Sequence, residues 1–327
     1  FWVKLERMLD FALNYLTPAG SNPQIGDNDD GRLIAFLRRE SLNNSYLLSL
    51  GAIALNNGKY KVEGSSFDEE MLCIFGEGAR KAYDLLPSSY VPRAPKAFHD
   101  GGFYVIRDGG DYCMISCGGM GQNGNGGHGH NDKLGFVLWA GGKELFVDPG
   151  TCSYTADPSM RNLFRSTRYH NTVMVDGLEQ NEFSENELFR IRTERTAARC
   201  IDFRDNGDGV VFVGEHSGYA PIIHRRSIGF DKAERSWTVK DSFSGGGRHS
   251  LEWNLHLSNT VTCVELSRGG VIIDGRFVVD VPFKPEIVDG WVSPGYGLKK
   301  PARIIRGVTE TELRGGLEYE MVIREQV

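Results

Sequence analysis

The sequence predicts an α+β chain: a short helical segment followed by a large antiparallel β-sandwich. Two observations carry this. Over residues 1–90 the apolar positions recur at helical spacing with no strand between them. From about residue 100 they alternate in short runs separated by Gly-rich turns. The chain therefore divides into a helical segment, 1–90, and a β-sandwich, 91–327.

The helical segment opens with an apolar stripe, Trp2, Leu5, Leu9 and Ala12–Leu13, stopped by Thr17-Pro18-Ala19-Gly20. Gly31–Arg39 reads as a short second helix. Tyr46–Asn56 reads as a third, closed by Asn57-Gly58, and Phe67–Leu86 as one or two more before Pro87. Helices in uninterrupted series suggest a bundle or the tail of a toroid. The β part begins with Phe103–Arg107 and Tyr112–Cys117 around an Asp108-Gly109-Gly110 turn. Leu134–Ala140 and Lys143–Val147 form a second hairpin around Gly141-Gly142. Further strands are expected at Thr172–Val175, Val210–Glu215, Arg226–Gly229, Ser236–Asp241, Leu251–Leu257, Thr260–Leu266, Val271–Asp274 and Leu317–Ile323. So many short strands with almost no helix mean an antiparallel sandwich.

Composition narrows the function. With 40% hydrophobic and 24% charged residues, 327 residues can bury a real core. A formal net charge of -6 argues against a nucleic-acid partner, which calls for a basic stripe, but leaves room for a polyanion in a local basic cleft. No apolar run is long enough to span a membrane. The six cysteines form no CxxC pair and read as small core residues. The chain starts at Phe1 without a signal-like region and reads as a fragment or processed product. Nucleophile-elbow, phosphate-loop and dinucleotide fingerprints are missing, and no carboxylate pair stands out as a glycosidase acid and base.

The informative segment runs from Gly121 to Asp176. In the glycine run Gly121–Gly129, His128 and His130 sit two apart, so in extended chain both face one side. Flanking glycines deny a histidine a packing role and let the backbone approach closely. Asp148 ends the next hairpin, in Phe146-Val147-Asp148-Pro149, and His170 follows in Arg168-Tyr169-His170-Asn171. Two imidazoles and a carboxylate make an ordinary zinc set, and His130, Asp148 and His170 are the expected ligands. A single histidine, or HxH alone, is more often a surface or hydrogen-bonded feature; the joint pattern is more specific. Geometry poses a difficulty. Simple pairing about Gly141-Gly142 puts Asp148 opposite Gly135, so His130 lies about 16 Å further along unless the chain folds back near Asn131-Asp132.

Other polar residues say less. Arg161, Arg165 and Arg168 could bind a carboxylate or sulfate in fork geometry, or could form a solvated basic loop. His256 reads as a sheet histidine beside the site or satisfied within the sheet. His99, His216, His224 and His249 read as loop or surface residues. Gly26–Gly31 looks calcium-like in composition but lacks the spacing and terminal Glu of an EF-hand, so it reads as a polar inter-helix loop at the border of a groove.

From HGHND at His128–Asp132 through LGFVLWAGGKELFVDPGT to RNLFRSTRYHNTVMVDG ending at Gly177, the chain resembles the heparinase II/III-like polysaccharide lyases. GDNDDGR at Gly26–Arg32 and WNLHL at Trp253–Leu257 resemble family segments with less force. The resemblance implies the end of an (α/α) toroid followed by the family's β-sandwich. It implies β-elimination on an acidic, uronic-acid-containing polysaccharide, such as a glycosaminoglycan, alginate or exopolysaccharide. It makes His128 the catalytic histidine and His130, Asp148 and His170 the holders of zinc, with calcium as the alternative ion. Arg165, Asn125 and Tyr154 are the substrate-contacting candidates. The family's catalytic tyrosine comes from the toroid, so it is expected outside this chain, and the chain alone is expected to be catalytically incomplete. A periplasmic or secreted address follows only by analogy. Two readings compete: a non-catalytic carbohydrate-binding sandwich with a structural metal, and a metal-dependent hydrolase.

Overall fold

The computed structural model describes residues 1–32, 35–37, 39–62, 65–89, 93–315 and 317–326. It separates into two compact units. One comprises Phe1–Pro23 and Asp30–Ala94; the other comprises Gln24–Asp29 and Pro95–Val327. The short segment Gln24–Asp29 thus counts with the β-rich unit although helical sequence flanks it on both sides.

The first unit contains α1 (Trp2–Tyr15), α2 (Tyr46–Ala54), α3 (Glu69–Phe75) and α4 (Gly78–Leu85). Leu9, Leu16, Leu48, Ala52, Tyr60, Met71 and Tyr83 form its core. Asp68 caps α3 by accepting from the Met71 N–H at 3.0 Å. The helix expected over Gly31–Arg39 does not form among the described residues of that stretch; Leu33, Ile34 and Arg38 lie outside them. Side chains compete for the backbone there. Arg32 donates to the Leu37 carbonyl at 2.9 Å, and Leu37 N–H points to the Glu70 carboxylate, which Arg39 also grips at 2.8 Å.

The second unit is antiparallel throughout its named strands. Its strands are β1 (Lys96–Phe98), β2 (Phe103–Asp108), β3 (Asp111–Ser116), β4 (Phe136–Ala140), β5 (Lys143–Phe146), β6 (Val173–Val175), β7 (Arg199–Asp205), β8 (Gly209–Tyr219) and β9 (Ile222–Asp231). There follow β10 (Ser236–Ser244), β11 (Arg248–His256), β12 (Val264–Ser267), β13 (Gly270–Ile273), β14 (Phe277–Asp280), β15 (Glu286–Gly295), β16 (Leu298–Glu312) and β17 (Glu318–Glu325). A short helix, α5 (Pro158–Phe164), interrupts them. One sheet runs β1-β2-β3-β4-β5, a second β12-β13-β14-β17-β10-β9-β8-β7, and a third β15-β16-β11-β6. The first and third join where Phe146 bridges to Leu257. A single core draws on all three, with Ile106 and Leu138 from the first, Phe212, Ile228 and Trp237 from the second, and Leu251 and Ile305 from the third. This is the expected sandwich.

Strands that the sequence hides are the polar ones. In β16, Pro301 and Gly307 look like breakers. Pro301 sits opposite Trp291 in the ladder with β15. Gly307 is required because a Cβ there would meet the Phe283 ring at 1.9 Å. That ring stacks on Trp253, centroids 5.2 Å apart. The strand expected at Thr260–Leu266 begins only at Val264.

His216 and His224 are not surface residues. They sit opposite one another in β8 and β9 and are 1% and 0% exposed. Burial alternates along β9, with His224, Arg226, Ile228 and Phe230 all inward. Two polar side chains therefore enter the core, and the neighbouring strand answers them. Asp241 of β10 lies opposite Arg226 and accepts from its Nε at 2.7 Å and its Nη2 at 2.9 Å. The indole of Trp253 donates to the same carboxylate at 3.0 Å.

Candidate functional site

The fold-back that the sequence requires occurs one step later than expected. Leu134 adopts φ +59°, and the Gly135 N–H donates to the Asp132 carbonyl at 2.7 Å, closing a tight turn after the histidine run. The β4–β5 ladder also contains a bulge, so Leu138 pairs with Phe146 while Trp139 pairs with Glu144. Together these bring His130 and Asp148 to one place.

Asn171 fixes the strand ends. Its amide donates to the Phe136 and Val147 carbonyls at 2.7 and 2.9 Å, and its oxygen accepts from the His256 N–H at 2.6 Å. Arg226 holds the Asn171 carbonyl at 2.7 Å from below. His170 and Asp148, each one residue from these anchors, are thereby held in place. His130, Asp148 and His170 are all buried, and each offers one ligand atom within 4.8 Å of the others.

Two nitrogens of this group have no hydrogen-bond partner among the described residues: His130 Nδ1 and His170 Nε2. Buried unpartnered polar atoms are costly, and a group that could satisfy them is implied. Hydrogen bonds fix which nitrogens these are. His170 Nδ1 lies 2.9 Å from Asp148 Oδ2, and His130 Nε2 lies 2.8 Å from Asp27 Oδ1. Burial outweighs the pull of Asp27 and keeps the His130 imidazole below its ordinary value. For His170, burial acts downward too, but the Asp148, Asp132 and Glu179 carboxylates overcome it and raise the group. Asp132 is itself held down to about 2, because Lys133 and the two histidines outweigh its burial.

Asp27 is the residue the sequence reading missed. It lies about a hundred positions before the histidines, in a loop marked in the sequence by its polar composition and by the GDNDDGR resemblance, neither of which singles out Asp27. The Gln24–Asn28 strap is pinned along its length. Gln24 donates to the Ser293 carbonyl at 2.6 Å, Asp27 N–H to the His128 carbonyl at 3.1 Å, and Asn28 N–H to Thr151 Oγ1 at 2.7 Å. Gly26 has φ +54°, and a Cβ on it would stand 2.5 Å from the His128 carbonyl oxygen. Glycine is therefore needed for the strap to lie against the histidine run.

His128 is half exposed, and its Nδ1 lies 3.1 Å from Asp27 Oδ2. It borders an open cleft lined also by Gly26, Met120, His130 and Lys133. Tyr154 and Phe189 flank it, with ring centroids 6.3 and 6.4 Å away. Tyr154 is partly buried, its hydroxyl has no partner among the described residues, and it also packs on Tyr296. Asn125 is exposed on the glycine run.

The arginines divide. Arg161 does bind a carboxylate in fork geometry, but it is the chain's own: Nη1 and Nη2 reach Asp27 at 2.6 and 2.8 Å. Arg165, expected to contact substrate, is fully buried. Its guanidinium donates to Asn162 and to the carbonyls of Ser184 and Arg190, and it stacks over Phe183. It clamps the 183–190 loop and has no face turned to solvent. Arg168 is exposed, and its carbonyl accepts from His256 Nε2 at 3.2 Å.

Comparison with known proteins agrees with this architecture. A family model described as "Heparinase II/III-like, C-terminal" matches residues 91–321. A heparin-sulfate lyase from Bacteroides stercoris is 30% identical over 135 residues, which is 39% of this chain and 17% of that protein. Among solved structures, a heparinase III superposes with a TM-score of 0.68 at 20% identity, covering 98% of this chain and 46% of its own. The heparan sulfate lyase HepC from Pedobacter heparinus gives 0.67 at 17% identity, over 98% of this chain and 46% of its own. A chondroitin AC lyase from Streptomyces coelicolor gives 0.53 at 12% identity, over 96% and 47%. The chain thus spans less than half the length of these structures. With residues 91–321, most of the chain, matched by the family model, the chain belongs to the heparinase II/III-like family.

Proposed function

We propose that the whole protein cleaves an acidic, uronic-acid-containing polysaccharide by β-elimination, with His128 moving the proton at C5. The observation that carries this reading is the contrast within the HxH pair. One imidazole is half exposed at an open cleft, while the other is buried among Asp148 and His170. A proton-transfer group must reach substrate; a ligand must not. In the reaction the C5–H bond breaks and its electron pair becomes the C4–C5 double bond. The C4–O bond breaks, and the leaving oxygen takes a proton. The acid at that oxygen is proposed to be the family's tyrosine, lying outside residues 1–327. Charge developing on the uronate must be met by donors at the cleft.

His130, Asp148 and His170 are proposed to hold zinc. Their donor set of two nitrogens and one oxygen suits that ion, and the two orphaned nitrogens support it. Calcium, which takes six to eight oxygen ligands, suits the set poorly. When bound, the ion would supply structural cross-linking of the strand ends. A periplasmic or secreted location is proposed from the size of such a substrate.

The test is a panel of uronate polysaccharides with the whole protein, reading ultraviolet absorbance of the unsaturated product. His128→Ala should cut turnover by about 10² to 10⁴-fold, the range of a general acid or base, with bound metal unchanged by elemental analysis. Saturated products would favour a hydrolase. Binding without turnover would favour a carbohydrate-binding module.

A further inference from the structure

We propose that Asp27 is a positioning residue for the elimination: one buried carboxylate, clamped by Arg161, that sets the tautomers of His128 and His130 together. This rests on reading His128 as the proton-transfer group. The argument is one of donor counting. An ionised carboxylate can only accept hydrogen bonds. Asp27 is held as a carboxylate by the fork of Arg161, whose Nη1 and Nη2 reach its two oxygens at 2.6 and 2.8 Å. Each of its oxygens then takes two donors. Oδ1 accepts from Arg161 Nη1 at 2.6 Å and from His130 Nε2 at 2.8 Å. Oδ2 accepts from Arg161 Nη2 at 2.8 Å and from His128 Nδ1 at 3.1 Å. Arg161 Nη1 also approaches His130 Nε2 at 3.3 Å, but the shorter contact to the carboxylate decides that this nitrogen carries hydrogen.

Both tautomers follow. His128 is protonated at Nδ1, which leaves Nε2 as the atom with a lone pair to take the C5 proton. The imidazolium so formed keeps its bond to a fixed negative charge. His130 is protonated at Nε2, which leaves the lone pair on Nδ1, the nitrogen that has no partner among the protein groups. A carboxylate behind a metal-binding imidazole is a common way to fix its ring. Here the same carboxylate serves the neighbouring imidazole as well. The backbone reinforces this, because the strap carrying Asp27 hydrogen-bonds to the His128 carbonyl across a glycine with no room for a Cβ.

The experiment combines imidazole ¹⁵N NMR of this chain with kinetics of the whole protein in excess zinc. In the unsubstituted chain His128 should show hydrogen on Nδ1 and none on Nε2. Asp27→Asn should lose that signature and lower kcat by about 10²-fold, the lower end for general acid–base catalysis. KM should stay within about twofold, since ground-state binding is untouched. His128 protonated at Nε2 in the unsubstituted chain would overturn the inference, and this can be read even if Asp27→Asn fails to fold. An unchanged signature and unchanged kcat in Asp27→Asn would also overturn it, while loss of turnover in His128→Ala left the lyase reading standing. Full turnover in His128→Ala would instead remove the lyase reading, and this inference with it.

Discussion

On the inner face of the eight-stranded sheet, Gly218 N–H donates to His216 Nδ1 at 3.1 Å, and His216 Nε2 donates to His224 Nδ1 at 3.2 Å. His224 Nε2 then donates to Asp241 at 2.7 Å, and Arg226 closes the run on the same carboxylate. At the strand ends near Asp148, the same residue types gather again: His130, His170, two aspartates and Arg161. The first cluster admits one arrangement of hydrogens, and both nitrogens of each of its histidines are partnered. The second spends its aspartates on one face of each imidazole and leaves the other face bare. Equal burial therefore does not mean equal purpose. A satisfied polar network fixes the core, whereas an unsatisfied one of the same composition awaits something else.

Breaking the closed cluster should have the largest effect. Asp241→Ala leaves Arg226 charged and unpaired in the core, and urea unfolding should show a loss of about 3–5 kcal/mol. The second effect sharpens the contrast. Zinc at a hundred times its Kd should stabilise the unsubstituted chain by about 2.7 kcal/mol. Calorimetry with and without chelator would read this, and His170→Ala should abolish it, while Asp241→Ala should still respond if folded. Next, Gly26→Ala should cost about 1–3 kcal/mol through strain at a positive φ and should weaken turnover more than an alanine placed at Gly177, where φ is also positive but nothing crowds a Cβ.

A further effect is one of pH. Burial holds His216 and His224 below their ordinary value, and holds His256 at about 4. Their folded pKa values lie below the unfolded ones, so the unfolded chain binds more protons between the two. Stability from these groups is full above about pH 6.5 and is lost as pH falls toward 4. Urea midpoints at successive pH values in chelator would check this, and a flat profile over that window would refute it.

The sequence disclosed the sandwich because apolar alternation is a local signal. It also disclosed His130, Asp148 and His170 as a group, since glycines around a histidine and an aspartate at a hairpin end are local as well. It did not disclose Asp27, because a carboxylate meeting an imidazole a hundred residues away leaves no periodicity. It misassigned His216, His224 and Arg165 for a related reason. Polar residues are read as solvent-facing by default, and only the partner strand reveals that Asp241 is there to meet His224, or that the 183–190 carbonyls are there to meet Arg165. The strands β15 and β16 were hidden by proline and glycine, whose roles depend on Trp291 and Phe283 in other segments.

The placement of Gln24–Asp29 has a practical corollary for anyone subcloning the sandwich. A clone started at Pro95 would contain every histidine yet omit the carboxylate that neutralises Arg161. It would bury a naked guanidinium beside the histidine run and lose the peptide strap that covers it. Supplying residues 24–29 as a fused or added peptide should restore what the shortened clone lacks.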